Sequence, residues 1–226
     1  MSEVKVIQVN ESIFAENDRT AAALRNRLSD QGTLFLNVMS SPGSGKTTTL
    51  VALINRLKDR LSIGEMDVDI ESSLDAQRVA DRTGIRSLQI HNGGLCHIDA
   101  DMTARALLEY DASGLDLLIL ENIGNLVCPA EFDTGANKNV TILSVPEGDD
   151  KPLKYPLMYQ VSDVVLINKI DAMDYFDFDL EKAKARILAL NPRAVFFPIS
   201  AKTGEGMDAL CDWVLRAVEA VKAGRL

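Results

Sequence analysis

Residues Ser40-Ser41-Pro42-Gly43-Ser44-Gly45-Lys46-Thr47 follow directly on the apolar run Leu34-Phe35-Leu36-Asn37-Val38-Met39, and that placement points to a nucleotide phosphate. A buried strand that runs into a glycine-rich turn and then a helix lets several backbone N–H groups converge on one anion. Gly43 and Gly45 allow close approach, Lys46 can reach the β- and γ-phosphates, and the Thr47 hydroxyl can ligate Mg²⁺. Ser44 and Thr48 complete the candidate phosphate-binding set. The pattern G-x-x-x-x-G-K-[ST] lacks its first glycine, because Ser40 stands there, so the backbone at that point must suit a residue with a Cβ. The plainer alternative is a chance Gly/Ser turn ahead of a helix.

A phosphate loop does not choose the base. The strand Val164-Val165-Leu166-Ile167 ends in Asn168-Lys169-Ile170-Asp171, an N-K-x-D motif. A carboxylate such as Asp171 can accept hydrogen bonds from both N1–H and N2–H₂ of guanine, whereas adenine offers no such pair and would leave a buried charge unpaired. Asn168 would support base and loop, and the Lys169 stem could lie along the ring. Further on, Val195 to Ile199 ends in Ser200-Ala201-Lys202, whose Ala201 N–H is placed like a backbone donor to guanine O6. Taken alone, each of these reads equally as a solvated turn at a strand end.

Between the phosphate loop and the guanine motif, the strand Leu117 to Leu120 leads into Glu121-Asn122-Ile123-Gly124, with glutamate where the pattern D-x-x-G has aspartate. Glu121 can still hold Mg²⁺ through water, and the Gly124 N–H can meet a γ-phosphate. Asp69 is the best candidate to bind Mg²⁺-bound water or to orient the attacking one, with Asp67, Glu71 and Asp75 as rivals or as parts of a solvated acidic loop. Lys46, Asp69, Glu121 and Gly124 form the candidate catalytic set. No motif identifies an arginine finger, so slow intrinsic turnover is expected.

Cys96 and His97 are adjacent in a loop that enters a helix, and Cys128 lies four residues beyond Gly124. Thiolate and imidazole suit Zn²⁺ and Ni²⁺, but three ligands are an incomplete tetrahedral set. A second subunit across a two-fold axis, water or an exogenous ligand could complete it. Buried free cysteine is common, so the residues alone also allow a structural role. Cys211, among Met207, Leu210, Val214 and Leu215 at helical spacing, reads as core. His91 closes a predicted strand and reads as structural or surface.

The elements that must position these residues alternate. Asn17 or Asp18 can cap a helix carrying Ala21, Leu24 and Leu28, followed by a strand at 33–39 and a helix at 47–60. Strand-like segments follow near 66–70, 86–91, 116–121, 140–145, 163–168 and 195–199. Amphipathic helices are expected at 75–82, 99–110, 178–190 and 206–222. This order implies an α/β fold with a mostly parallel sheet covered on both faces and ligands at the carboxyl ends of the strands. The 226 residues suit a single domain, 1–226, with a short helical N-terminal segment at about 1–31.

With 24 basic and 33 acidic residues and a net charge of −9, no broad nucleic-acid or anionic-membrane surface is expected, so phosphate binding must be local. Apolar runs fall far short of the ~20 residues of a membrane span. No secretory leader opens the chain, and its three cysteines fit a reducing, cytoplasmic setting.

Taken together, these motifs resemble the HypB family of nickel-incorporation GTPases of [NiFe]-hydrogenase maturation. The likeness rests on Ser40 to Thr47, on Asp69 with Asp75-Ala76, on Gly94-Leu95-Cys96-His97-Ile98-Asp99-Ala100, on Glu121 to Pro129 and on Glu147-Gly148-Asp149-Asp150-Lys151-Pro152-Leu153-Lys154-Tyr155-Pro156. Ser40, a departure from the general pattern, is one of the family's marks. The related urease GTPase UreG carries Cys-Pro-His, whereas Cys96 and His97 touch in sequence. The resemblance implies a P-loop NTPase of the SIMIBI class with about seven strands and GTP-dependent homodimerisation. It also implies a nickel or zinc site at the dimer interface from Cys96, His97 and Cys128, and nickel delivery with HypA to the hydrogenase large subunit. Alternatives are a GTPase serving another nickel enzyme such as urease, a P-loop kinase, or a metal-sequestering scaffold. Many members begin with C-x-x-C-G-C, some with a histidine-rich stretch besides. Met1 to Glu16 has neither cysteine nor histidine, so tight N-terminal nickel binding and storage are not expected.

Overall fold

In the computed structural model, which describes residues 9–69 and 74–226, seven strands form one sheet. The strands are β1 (Leu34–Ser40), β2 (Ile63–Asp69), β3 (Arg86–His91), β4 (Leu117–Gly124), β5 (Lys138–Ser144), β6 (Val164–Asn168) and β7 (Val195–Pro198). Their order is β3-β2-β4-β1-β5-β6-β7, and every neighbouring pair is parallel. The helices are α1 (Val9–Asp30), α2 (Lys46–Leu57), α3 (Leu74–Thr83), α4 (Ala100–Glu109), α5 (Cys128–Glu131), α6 (Lys151–Lys154), α7 (Pro156–Gln160), α8 (Leu180–Leu190) and α9 (Met207–Lys222). Central strands of a parallel sheet are buried on both faces, which is why β1 and β6 read as continuous apolar runs.

On one face, Leu36, Val38 and Ile119 pack under Leu50, Leu53 and Leu57 of α2 and Leu210, Val214 and Val218 of α9. Cys211 belongs to this cluster, as its spacing predicts. On the other, Phe35, Met66, Leu118 and Leu120 meet Leu24 and Leu28 of α1 and Leu107 of α4. Met39, Leu143 and Ile167 pack with Met158, Tyr159 and Ile187. Among the described residues no helix is long and apolar enough to cross a membrane.

The structure corrects the expected elements in three ways. First, α1 begins by Val9, so Asn17 is not its cap. Asn17 is buried in mid-helix, where its Oδ1 accepts a bond from the Ala100 N–H at 2.9 Å, the first residue of α4, and its Nδ2 donates to the Asp133 carbonyl at 3.0 Å. Residues 1–8 of the expected N-terminal segment lie outside the described residues. Second, α2 stops at Leu57, before Lys58 caps it. Third, β2 starts at Ile63 and β4 runs on to Gly124, because buried Glu65 and Asp67 in β2 and buried Glu121 and Asn122 in β4 interrupt the apolar pattern.

Candidate nucleotide and metal site

The phosphate loop leaves β1 at Ser40, fully buried. Gly43 and Gly45 have φ of +75° and +98°, conformations that a side chain would strain. Ser40 keeps an ordinary backbone and uses its hydroxyl: Oγ donates to the Ser41 carbonyl at 2.8 Å and accepts from Ser44 Oγ at 2.6 Å and Lys46 Nζ at 3.1 Å. The serine in place of glycine therefore holds the loop lysine. Thr47, buried at the start of α2, donates through Oγ1 to Glu121 Oε1 at 2.7 Å, while Thr48 is exposed. On the loop's far side, the Ser41 hydroxyl donates to Glu147 Oε1. Glu147 Oε2 accepts from the Ser144 N–H at 2.8 Å and from Ser144 Oγ at 2.7 Å, which fixes that carboxylate against the loop.

The N-K-x-D residues clasp the same loop. Asn168 is buried, and its Nδ2 donates to the Ser44 carbonyl at 2.9 Å. A Cβ at Gly45 would lie 2.7 Å from that amide nitrogen, so glycine is needed for space as well as for φ. Lys169 is the one non-glycine described residue with positive φ, +64°, and its Nζ donates to the Gly43 carbonyl at 2.6 Å. Asp171 Oδ1 accepts from Ser200 Oγ at 2.6 Å, which orients the carboxylate. The Ala201 N–H, expected to serve the base, donates to Asn168 Oδ1 at 3.2 Å. Gly45, Thr48, Asn168, Lys169, Asp171, Ala172, Ala201 and Lys202 line a cavity of about 350 Å³, with Asp171 at its wall. The residues expected to recognise guanine thus converge on one concave surface beside the phosphate loop.

On the α3 side of the sheet, Asp67 and Glu121 sit opposite each other in the β2–β4 register, and Glu65 lies two residues down the same strand face. All three are buried, and one oxygen from each lies within 4.8 Å of the others. Burial pushes Glu65 up to about 9, Asp67 to about 7 and Glu121 to about 8. The Asp67 charge raises Glu121 further, while Lys46 and the Thr47 hydroxyl oppose the shift. Asp69, the favoured water-orienting candidate, closes β2 beside His91 in register and is half-buried; its rival Asp67 faces Glu121 more closely. Asp75 lies in the first turn of α3, paired with Arg78 at 2.7 Å, and Glu71 lies outside the described residues. Glu65 was missed by sequence reasoning, since a lone glutamate inside a strand carries no motif.

The thiols also meet. Cys96 Sγ and Cys128 Sγ stand 2.8 Å apart, and Cys96 Sγ is 4.0 Å from His97 Nδ1. The neighbouring Cys96 thiol pushes Cys128 above the usual thiol range. The His97 ring stacks on Phe132, centroids 3.9 Å apart and planes at 8°, and Phe132 leans on Phe14 of α1. Asn92 Nδ2 donates to the Leu95 and His97 carbonyls, both at 2.8 Å. His91 remains exposed at the strand end. Gly124, four residues before Cys128, packs on the phosphate loop: a Cβ there would lie 3.2 Å from Pro42 N and Cα. One short segment therefore touches both the phosphate loop and the thiol pair.

Residues 34–198 match the family model of the CobW/HypB/UreG nucleotide-binding domain. The chain is 45% identical over 214 residues to the hydrogenase maturation factor HypB of Rhizobium leguminosarum bv. viciae, covering 95% of this chain and 71% of the relative. It is 40% identical to the hydrogenase/urease maturation factor HypB of Helicobacter hepaticus, covering 93% and 87%. Among solved structures, HypB from Helicobacter pylori in complex with nickel superposes with a TM-score of 0.83 at 38% identity, over 90% of this chain and 95% of that one. Matches of this extent along the chain, on the same parallel fold and with the nucleotide motifs gathered at one sheet edge, lead to one assignment. The chain belongs to the HypB family of hydrogenase maturation factors, within the CobW/HypB/UreG nucleotide-binding group.

Proposed function

We propose that this protein hydrolyses GTP to control nickel delivery to the large subunit of a [NiFe]-hydrogenase, with HypA as partner and a GTP-dependent homodimer as the working form. The observation that carries the reading is the segment Gly124 to Cys128. Gly124 is packed on Pro42 of the phosphate loop, and Cys128 Sγ stands 2.8 Å from Cys96 Sγ. A γ-phosphate that draws the Gly124 N–H toward it also displaces a metal ligand. The nickel complex of the Helicobacter pylori relative supports nickel as cargo.

Thr47, Asp69 and Glu121 would hold magnesium, which when bound neutralises charge on the phosphates. The donor set fits a hard cation, since Glu121 Oε2 is buried without a partner in the protein. Lys46 leaves Ser40 to meet the phosphates, and Asp171 accepts from the guanine edge in the 350 Å³ cavity. Asp69, with Asp67 behind it, orients the water whose oxygen bonds to the γ-phosphorus as the bond to the β-phosphate bridging oxygen breaks, giving GDP and phosphate. Cys96, His97 and Cys128 supply three ligands, and a second copy or a small ligand completes the set. Thiols 2.8 Å apart need to separate by about 1 Å to share one tetrahedral ion at about 2.3 Å. Metal binding releases their protons.

The test is nickel and zinc stoichiometry on the purified protein with GDP and then with a non-hydrolysable GTP analogue, alongside mass in solution. Metal content and mass should both change with the nucleotide. Cys128→Ala should weaken metal binding while leaving GTP affinity within about twofold. Unchanged metal binding by that variant in both nucleotide states, or preference for ATP over GTP, overturns the reading.

A further inference from the structure

Glu65, Asp67 and Glu121 share a geometric peculiarity. Each has a buried carboxylate oxygen without a hydrogen-bond partner: Glu65 Oε1, Asp67 Oδ2 and Glu121 Oε2. Two of the three are anchored by the other oxygen, Glu65 Oε2 accepting from Ser87 Oγ and Glu121 Oε1 from Thr47 Oγ1. The residues are 0%, 3% and 2% exposed, so water does not serve these oxygens from the surface. A buried carboxylate oxygen left unpaired is expensive, and three together repel as well. The Lys46 charge favours the ionised forms of Asp67 and Glu121, but its Nζ donates to Ser40 Oγ at 3.1 Å.

We propose that Glu65, Asp67 and Glu121 bind a divalent cation of the hard, oxygen-preferring class before any nucleotide is present, sharing Glu121 with the ion that later accompanies the nucleotide. Oxygens around such an ion at about 2.1 Å lie roughly 3–4 Å apart, so the trio, with oxygens within 4.8 Å of one another, closes by no more than about 1–2 Å. Three carboxylates without nitrogen or sulfur select Mg²⁺ or Mn²⁺ over the softer ions that suit Cys96 and Cys128. Glu65 is what sets this site apart, since it lies four residues back along β2 from Asp69. No nucleotide atom is required, so the site can fill without nucleotide, although Glu121 is common to it and to the proposed GTP chemistry. The nucleotide-free protein then already carries one hard cation beneath its phosphate loop.

Mn²⁺ binding, followed by electron paramagnetic resonance on the full chain stripped of nucleotide, tests this directly. About one Mn²⁺ per chain should bind before any nucleotide is added. Glu65→Gln should weaken that binding at least tenfold, yet bind Mn²⁺ with GDP within about threefold of the unaltered protein. Absence of Mn²⁺ binding by the unaltered, nucleotide-free protein overturns the proposal without recourse to a variant, and means that the trio holds protons instead. Binding that Glu65→Gln leaves unchanged overturns it too. A protein that takes up nucleotide-free Mn²⁺ in a Glu65-dependent way but fails to bind GDP supports this site and refutes the GTP reading.

Discussion

Asn168 donates from Nδ2 to the Ser44 carbonyl at 2.9 Å, so the residue expected to support the base also braces the phosphate loop. Its Oδ1 accepts from Ala201, which ties in the third recognition segment. Asn168→Ala leaves the buried Ser44 carbonyl and the Ala201 N–H short of partners. Stability should fall by about 2 kcal/mol in urea unfolding, and GTP and GDP should both bind at least tenfold more weakly in calorimetry. A loss confined to one nucleotide would show that the clasp does not organise the loop.

Asp171 presents acceptors only, with Oδ1 already bonded to Ser200 Oγ. In Asp171→Asn, the introduced amide donor faces the guanine amino group and clashes with it, while xanthine offers an oxygen there. GTP affinity should drop by at least a hundredfold and xanthosine triphosphate should become the preferred ligand, measured by competition against a fluorescent nucleotide.

Gly124→Ala tests the link between nucleotide and metal. Its methyl would meet Pro42 Cγ at 3.1 Å and Pro42 N and Cα at 3.2 Å, too close for the contact to survive unshifted. Metal affinity in the GDP state should stay within about threefold, whereas the difference between GDP and GTP-analogue states should shrink, both read by metal titration. A full nucleotide-dependent difference in the variant would break the link.

The buried carboxylates set a pH dependence for protein free of nucleotide and stripped of metal by chelator. Glu65 titrates at about 9 in the folded chain against 4.5 ordinarily, so between those values the folded state holds a proton that the unfolded state has lost. Stability therefore falls as pH rises through that window, by up to ~1.4 kcal/mol per pH unit for each such group, and levels off above it. Asp67 and Glu121 add to the slope up to about 7 and 8. Urea unfolding at pH 5.5, 7 and 8.5 should show the decline, and Glu65→Gln should flatten it. An equal slope in the variant would remove Glu65 from the account.

The fold and the nucleotide motifs were legible because each motif closes an apolar strand, and a parallel sheet puts strand ends together by topology. Ser40, Lys46, Asn168 and Asp171 needed only local spacing to be found. Glu65 and the full length of β2 and β4 were not legible, because a buried charge inside a strand reads as exposure until its neighbours are known. The meeting of Cys96 with Cys128, 32 positions apart, depends on β4 and the loop before α4 ending at the same sheet edge. Asn17 misled for a related reason: it does serve a helix N-terminus, but by accepting from the Ala100 N–H of α4, 83 positions later, beside that helix's own cap Asp99.

That long-range bond from Asn17 has a consequence for the thiol pair. Through Asn17, α1 grips the backbone at Ala100, three residues past His97, and at Asp133, five past Cys128; Arg25 adds bonds to Ala136 and Asp133. The helix contributes none of the metal-ligand candidates yet acts as the jaw of a calliper, setting the gap between two loops that do. If the thiol pair holds an ion as proposed, its metal preference is open to tuning from a helix that supplies no ligand, by substitutions that alter a jaw opening and leave every candidate ligand in place.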